Sequence, residues 1–296
     1  MGLKIGLILG TGMKDLFDDY EELQAGSDRF QTNISSQDDS FVDTPWGQAH
    51  WQHIVLGDNQ FFVFNRHNSN IYGDQEMFSL PHQLDPRIIM YALSQELGVD
   101  FVIGSSAVGG VSSGLLPIQV GSLITPHDFV SFIGSSATFA SEEFVHSTAF
   151  HRLPRFCDHL RHLLYDNGHS RVWSGGVVAN FTGGPRYETG AEVTMLKSMG
   201  ADLFSMNTFI PEVELATELS LHYLPICLVT NMALSEHDAE GDDIGKQASG
   251  NRLKLLGVIM SMVQKLTGSK KWNCLCQEQK SVFEICGQAA LETLES

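Results

Sequence analysis

The chain has 296 residues, 43% of them hydrophobic and 18% charged, the make-up of a globular protein long enough to bury a sizeable core. A formal charge of −17 and a pI near 5.0 exclude a broad basic surface, so neither nucleic acid nor anionic membrane is an expected partner. An anionic small substrate would need a local cluster of cations and backbone N–H donors instead.

The N-terminal MGLKIGLILG has the apolar core of a short signal peptide, but it runs into Gly10-Thr11-Gly12 and acidic residues with no small-residue cleavage site. It reads as a buried first strand over Leu3–Leu9. The polar stretch Ser27 to Gly47 reads as loop. Apolar, β-branched runs predict strands at His53–Leu56, Phe61–Asn65, Phe101–Ser105, Gly121–Thr125, Val172–Asn180, Leu203–Met206 and Pro225–Thr230. Helical spacing predicts helices at Arg87–Leu97, Leu153–Asn167, Glu188–Met199, Pro211–Leu221 and Ile244–Leu266. Strands and helices alternate in an α/β rhythm, and strands that are apolar throughout belong to a sheet covered on both faces. Gly134–Phe150, rich in Ser, Thr and Phe, reads as a mobile or subunit-contact loop. No apolar run reaches the roughly 18 residues of a membrane span.

After Leu266 the periodicity fades, so residues 267–296 form an extension outside a core domain spanning 1–266. The five cysteines, Cys157, Cys227, Cys274, Cys276 and Cys286, are odd in number and lack zinc-ligand spacing, which suits a reducing cytoplasm. Cys274 and Cys276 form a CxC pair open to redox chemistry or a disulfide; free thiols are the plainer reading, and no metal is expected.

Three strand ends carry groups that suit an anion: Gly10-Thr11-Gly12, Arg66-His67, and Ser105-Ser106-Ala107-Val108-Gly109-Gly110. Each offers backbone N–H groups, hydroxyls or a permanent cation where ligands of open α/β sheets gather. Each alone is also an ordinary turn or loop. Gly10-Thr11-Gly12 lacks the third glycine of a dinucleotide fingerprint. Gly110-Val111-Ser112-Ser113-Gly114 matches GxSxG, but Leu115-Leu116-Pro117 follows where a hydrolase needs a helix. Pro81-His82 and His127-Asp128 read as structural or loop residues.

Thr182 to Thr189, TGGPRYET, puts glycines, an aromatic ring and a carboxylate into eight residues. Glycines admit a flat ligand, Tyr187 is placed to stack on it, and Glu188 to accept from an N–H on its edge. The ordinary alternative is a turn opening a helix, with Glu188 as a first-turn carboxylate. Met206-Asn207-Thr208-Phe209-Ile210-Pro211-Glu212-Val213 and Val229-Thr230-Asn231 add two polar strand ends in the same half of the chain. Together they point to a purine site.

In order and spacing, the GTG at Gly10, RH at Arg66, SAVGG at Ser106, GGPRYET at Gly183, MNTFIPEV at Met206 and TN at Thr230 resemble the trimeric purine nucleoside phosphorylase and methylthioadenosine phosphorylase family over about residues 3–266. The resemblance implies a single α/β domain with a mixed twisted sheet flanked by helices. It further implies a homotrimer and phosphorolysis of a purine nucleoside, with inorganic phosphate as co-substrate and no metal or organic cofactor. By position, it implies that Thr11, Arg66, His67, Ser106, Ala107 and Asn207 hold phosphate, that Met206 lies under the ribose, and that Tyr187, Glu188 and Asn231 hold the base. Asn231, Glu188 and His67 are the residues expected to carry the chemistry. Breaking the N-glycosidic bond makes the sugar cationic and the purine anionic, and one donor aimed at the leaving purine is worth ~3 kcal/mol. Asn231 is the candidate donor.

Charge also selects the base. A 6-oxopurine presents an N1–H donor to Glu188, whereas adenine presents a lone pair that repels it, a difference commonly worth a factor of about 10⁴. In the adenine-specific branch the resemblance implies a small residue at Glu188 and aspartates at Asn231 and Ala233, which this chain lacks. The expected substrate is therefore inosine, guanosine or 5′-methylthioinosine. The alternatives are a methylthioadenosine phosphorylase releasing adenine and a nucleoside-binding homologue without turnover. Three positions depart from the family: Asn207 stands for Ser or Thr, Asn68 for Gly, and Asp85-Pro86-Arg87-Ile88-Ile89 for an NYRAN-like segment. The Asn207 amide still donates a hydrogen bond.

Overall fold

The computed structural model describes residues 2–68, 70–72, 75–77, 83–111, 118–133, 137–139, 153–165, 172–182, 184, 186–206, 209–232, 242–266, 272–278, 281 and 284. Its strands are β1 (Lys4–Leu9), β2 (Ile34–Thr44), β3 (Gly47–Leu56), β4 (Asn59–Asn65), β5 (Asn70–Tyr72), β6 (Gln75–Met77), β7 (Phe101–Gly110), β8 (Leu123–Thr125), β9 (Asp128–Ser131), β10 (Val172–Ser174), β11 (Val177–Asn180), β12 (Leu203–Phe204) and β13 (Tyr223–Met232). Its helices are α1 (Tyr20–Ala25), α2 (Pro86–Tyr91), α3 (Asp158–Tyr165), α4 (Gly190–Ser198), α5 (Phe209–Glu218), α6 (Asp242–Ser249) and α7 (Arg252–Leu266). None of the described helices is long and apolar enough to cross a membrane.

Eleven strands make one mixed sheet in the order β10-β8-β13-β7-β1-β4-β3-β2, with β12, β11 and β9 branching from the far end of β7. The expected α/β sheet flanked by helices is what forms. At its centre β13, β7, β1 and β4 run parallel, so their carboxyl ends lie along one edge. Alternation along these strands divides the apolar side chains between two layers. Ile5, Leu7, Phe61 and Leu224 pack under α1, α3 and α7, whereas Ile8, Phe62, Val102 and Tyr223 pack under α2 and α5.

Several elements differ from expectation. Ser27–Gly47 contains the eleven-residue strand β2, paired antiparallel with β3 at the edge of the sheet. Its side chains are largely exposed, so it carries the polar and acidic residues of a protected edge rather than an apolar signature. Val172–Asn180 is two strands, broken by Gly175 and Gly176 at φ of 125° and 90°. Ile244–Leu266 is two helices, parted at Gly250-Asn251, where helix propensity is poor. The helix expected from Leu153 begins at Asp158, after a stretch containing Pro154 that leaves Phe156 and Cys157 buried. Asp85-Pro86-Arg87 opens α2: the Asp85 carboxylate accepts from the Arg87 N–H at 3.0 Å, and proline occupies the first turn. Ser112–Gly114, Pro81-His82, Asn207, Ala233, Cys286 and nearly all of Gly134–Phe150 lie outside the described residues.

One glycine in the core has no substitute. A Cβ on Gly104 would sit 1.9 Å from the Tyr223 hydroxyl oxygen and 3.1 Å from Glu212 Oε2. Gly190, with open space around it, is the control. Gly104→Ala should lower unfolding free energy by about 1–3 kcal/mol, as overpacking does, while Gly190→Ala should stay within about 0.5 kcal/mol; urea denaturation followed by circular dichroism measures both.

Candidate active site

Register brings the expected strand ends together. Leu9 pairs with Asn65, so the loops after β1 and β4 leave the sheet at the same level. β7 pairs with β1 only as far as Gly104 and then continues against β13 to Met232. Ser105 and Ser106 therefore lie inside a strand, facing the loop that follows β1. The Gly10 N–H donates to Ser105 Oγ at 3.3 Å. A Cβ on Gly10 would come within 2.8 Å of the Ser105 carbonyl, 2.9 Å of Arg66 Nη1 and 3.1 Å of Ser106 Cα. Only glycine admits the loop after β1, the turn after β4 and the middle of β7 this close. Gly12 takes a φ of 74°, and a Cβ there would strike Ala248 of α6 at 2.5 Å.

At the mouth of this cluster Thr11 Oγ1 lies 3.4 Å from His67 Nε2. His67 and Ser106 are buried and Ala107 is half-buried. Arg66 is beside them, on the short 3₁₀ turn after β4, with its guanidinium held from behind. Nε and Nη2 donate to the two oxygens of Glu212 at 2.6 and 3.1 Å, and Nη1 donates to the Ser105 carbonyl at 2.8 Å. The Tyr223 hydroxyl donates to the same Glu212 carboxylate. All three side chains are buried. Burial, with the Glu212 charge added, pushes the Tyr223 hydroxyl well up; for Arg66 burial acts to lower the value, but Glu212 more than restores it. Glu212 and Tyr223 had no assigned role from sequence. The available signal was a carboxylate inside the apolar run Phe209-Ile210-Pro211-Glu212-Val213, which a buried surface tolerates only when paired.

The base-facing expectations fall on the other branch of the sheet. Asn231 pairs with Gly109, Gly109 with Phe204 of β12, and Phe204 with Ala179 of β11, a single row across four strands. A bulge at Thr230 shifts the register before Asn231 and re-aims that side chain. Its Oδ1 accepts from the Thr230 hydroxyl at 3.2 Å, so the amide is turned to offer its Nδ2 hydrogens. β11 runs into the TGGPRYET loop and β12 into half-buried Met206.

Within that loop, Thr182 Oγ1 reaches the Arg186 carbonyl at 3.0 Å and Glu188 Oε1 at 3.3 Å. Helix α4 does not use Glu188. Its capping box is Thr189 with Glu192, and Arg186 clamps Glu192 at 2.7 and 2.8 Å. The ordinary alternative for Glu188 is thereby filled by another residue. Burial pushes the Glu188 carboxyl up, with hydrogen bonds from its own backbone and from Thr182 offsetting this only in part. Tyr187 is 48% exposed, its ring available to a ligand or a neighbouring surface.

Residues 81–263 match the Phosphorylase superfamily, and the chain belongs to that family. A probable S-methyl-5′-thioinosine phosphorylase of Methanothermobacter thermautotrophicus is 34% identical over 200 residues, covering 67% of each chain. A probable 6-oxopurine nucleoside phosphorylase of Archaeoglobus fulgidus is 29% identical over 243 residues, 80% of this chain and 92% of the relative. Among solved structures, methylthioadenosine phosphorylase from Schistosoma mansoni in complex with adenine superposes with a TM-score of 0.69 at 22% identity, covering 90% of this chain and 93% of that one. That structure shares the fold.

The Arg66 to Glu212 pair is open to direct test. Glu212→Ala leaves a buried guanidinium uncompensated and should cost about 3–5 kcal/mol of stability, read as a lowered urea midpoint with an unchanged slope.

Proposed function

We propose that the chain is a purine nucleoside phosphorylase that cleaves 6-oxopurine nucleosides (inosine, guanosine or 5′-methylthioinosine) with inorganic phosphate, releasing the free base and a ribose 1-phosphate. The observation that carries this reading is Glu188, a half-buried carboxylate held by Thr182 and left unused by the adjoining helix. A carboxylate so placed accepts from N1–H of a 6-oxopurine and repels the N1 lone pair of adenine. The names of relatives at 29% and 34% identity support the same base class.

In this reading phosphate lies against the Gly10-Thr11 backbone, Ser106 and Ala107, with His67 donating and Arg66 lending charge from an orientation set by Glu212. Asn207 completes the set by donation from its amide. Phosphate attacks C1′ as the bond to the purine lengthens, and its charge stabilises the cationic sugar. Met206 lies under the ribose. Tyr187 stacks on the base, and the Asn231 Nδ2 hydrogens meet the charge that grows on N7 and O6 of the leaving purine. The site needs no metal or organic cofactor. The chain acts in the cytoplasm as a homotrimer, whose neighbouring subunits cover exposed groups such as Tyr187.

Incubation of the purified protein with inosine, methylthioinosine and methylthioadenosine, with and without phosphate, followed by chromatography, tests the assignment. Hypoxanthine should appear only when phosphate is present. Adenine as the preferred product would refute the base pocket, and silence from all three would leave a binding protein without turnover. The pH profile tests Glu188 separately. Its carboxyl must be ionised to accept from N1–H, and burial raises its pKa, so kcat/KM for inosine should fall on acidification with a midpoint above the ordinary carboxylate value. Glu188→Gln should remove that acid limb while lowering activity overall.

A further inference from the structure

At the opposite end of the central strands the fold assembles a second group of reactive side chains. Cys157 stands just ahead of α3, its N–H donating to the Tyr223 carbonyl at 2.8 Å. His222 stands just ahead of β13, its carbonyl accepting from Val102 at 2.8 Å. Cys274 and Cys276 arrive from the C-terminal tail. The four candidate donor atoms lie within 4.8 Å of one another. His222 Nδ1 is 3.6 Å from the Cys157 sulfur and 3.3 Å from the Cys274 sulfur. Cys157 and His222 are fully buried and the tail cysteines are partly buried. Trp272 stacks on the His222 ring at 4.0 Å between centroids and meets the edge of Phe101 at 5.9 Å, setting the tail against the strand starts.

We propose that Cys157, His222, Cys274 and Cys276 form a structural zinc site that fastens residues 272–278 of the tail across the amino-terminal ends of β7 and β13. Three sulfurs and one imidazole are the donor set of a closed, tetrahedral zinc centre and suit no hard cation. Bond lengths of about 2.3 Å to sulfur and 2.0–2.1 Å to nitrogen put tetrahedral donors roughly 3.5–3.8 Å apart. The separations of 3.3 and 3.6 Å around Nδ1 already fit, and the widest pair closes with a shift of about 1 Å. A disulfide would join two of the sulfurs at about 2.05 Å and leave the third sulfur and the imidazole without a purpose.

The site is remote from the loops after β1 and β4, so its expected effect is on stability rather than on turnover. Full-length protein purified under reductant should contain one zinc per chain by elemental analysis, and removal by a chelator should lower its Tm. The demetallated chain reloaded with cobalt should show the strong visible bands of tetrahedral thiolate coordination. Cys274→Ser/Cys276→Ser should bind no zinc and should lose no further Tm on chelation, while phosphate-dependent base release persists. The cobalt spectrum of the unmodified chain decides the matter even where the variant folds poorly. The proposal is overturned if the reduced, demetallated chain takes up no zinc against a colorimetric chelator, if the double variant retains zinc, or if peptide mapping without reduction finds Cys157 joined to Cys274 or Cys276.

Discussion

The buried ion pair between Arg66 and Glu212 is the interaction on which the arrangement at the carboxyl ends of the central strands depends. Each charge alone would be severely destabilising in this position. Paired through two hydrogen bonds, with Tyr223 donating to the same carboxylate and the Ser105 carbonyl accepting from Arg66, the charges tie together β4, β7, β13 and α5 at one point. Gly104 makes room for the Tyr223 hydroxyl, and Gly10 lets the Arg66 guanidinium lie against the loop after β1. Such a pair contributes little net stability compared with an apolar replacement. What it fixes is position: the Arg66 guanidinium is held at one place beside the loop that follows β1.

Strand β7 is the second constraint. Its first half is a central parallel strand between β1 and β13, and its last two residues pair antiparallel with β12. The sheet therefore forks at Gly109 and Gly110. One branch carries the loops after β1 and β4 and the other the TGGPRYET loop and Met206, with Asn231 paired at the fork.

Legibility in the sequence followed burial. β1, β4 and β13 were readable because their side chains are buried on both faces, which leaves an unbroken apolar run. β2 was not, because an edge strand is obliged to be polar, and acidic residues at Asp38, Asp39 and Asp43 look like loop. Gly10, Arg66 and His67 were readable as strand-end groups, whereas Ser106 and Asn231, read the same way, stand inside β7 and β13, because those strands run on past the level at which β1 stops. Glu212 and Tyr223 escaped because their role lies in contacts between residues eleven and 146 positions apart, which no local pattern encodes. The cysteine cluster escaped for the same reason: Cys274 and Cys276 are two positions apart, but the other two donors are supplied by the residues just ahead of α3 and β13.

The two ends of the central strands thus meet different physical demands. At the carboxyl ends, polar groups such as the Arg66 guanidinium are held in place by buried partners and by close glycine contacts. The amino-terminal ends are closed over by Trp272, which packs on His222 and Phe101. Tyr223 belongs to both ends: its backbone carbonyl accepts from Cys157 and its hydroxyl reaches Glu212. A displacement of β13 at its start would therefore be carried to the Glu212 carboxylate through the Tyr223 side chain.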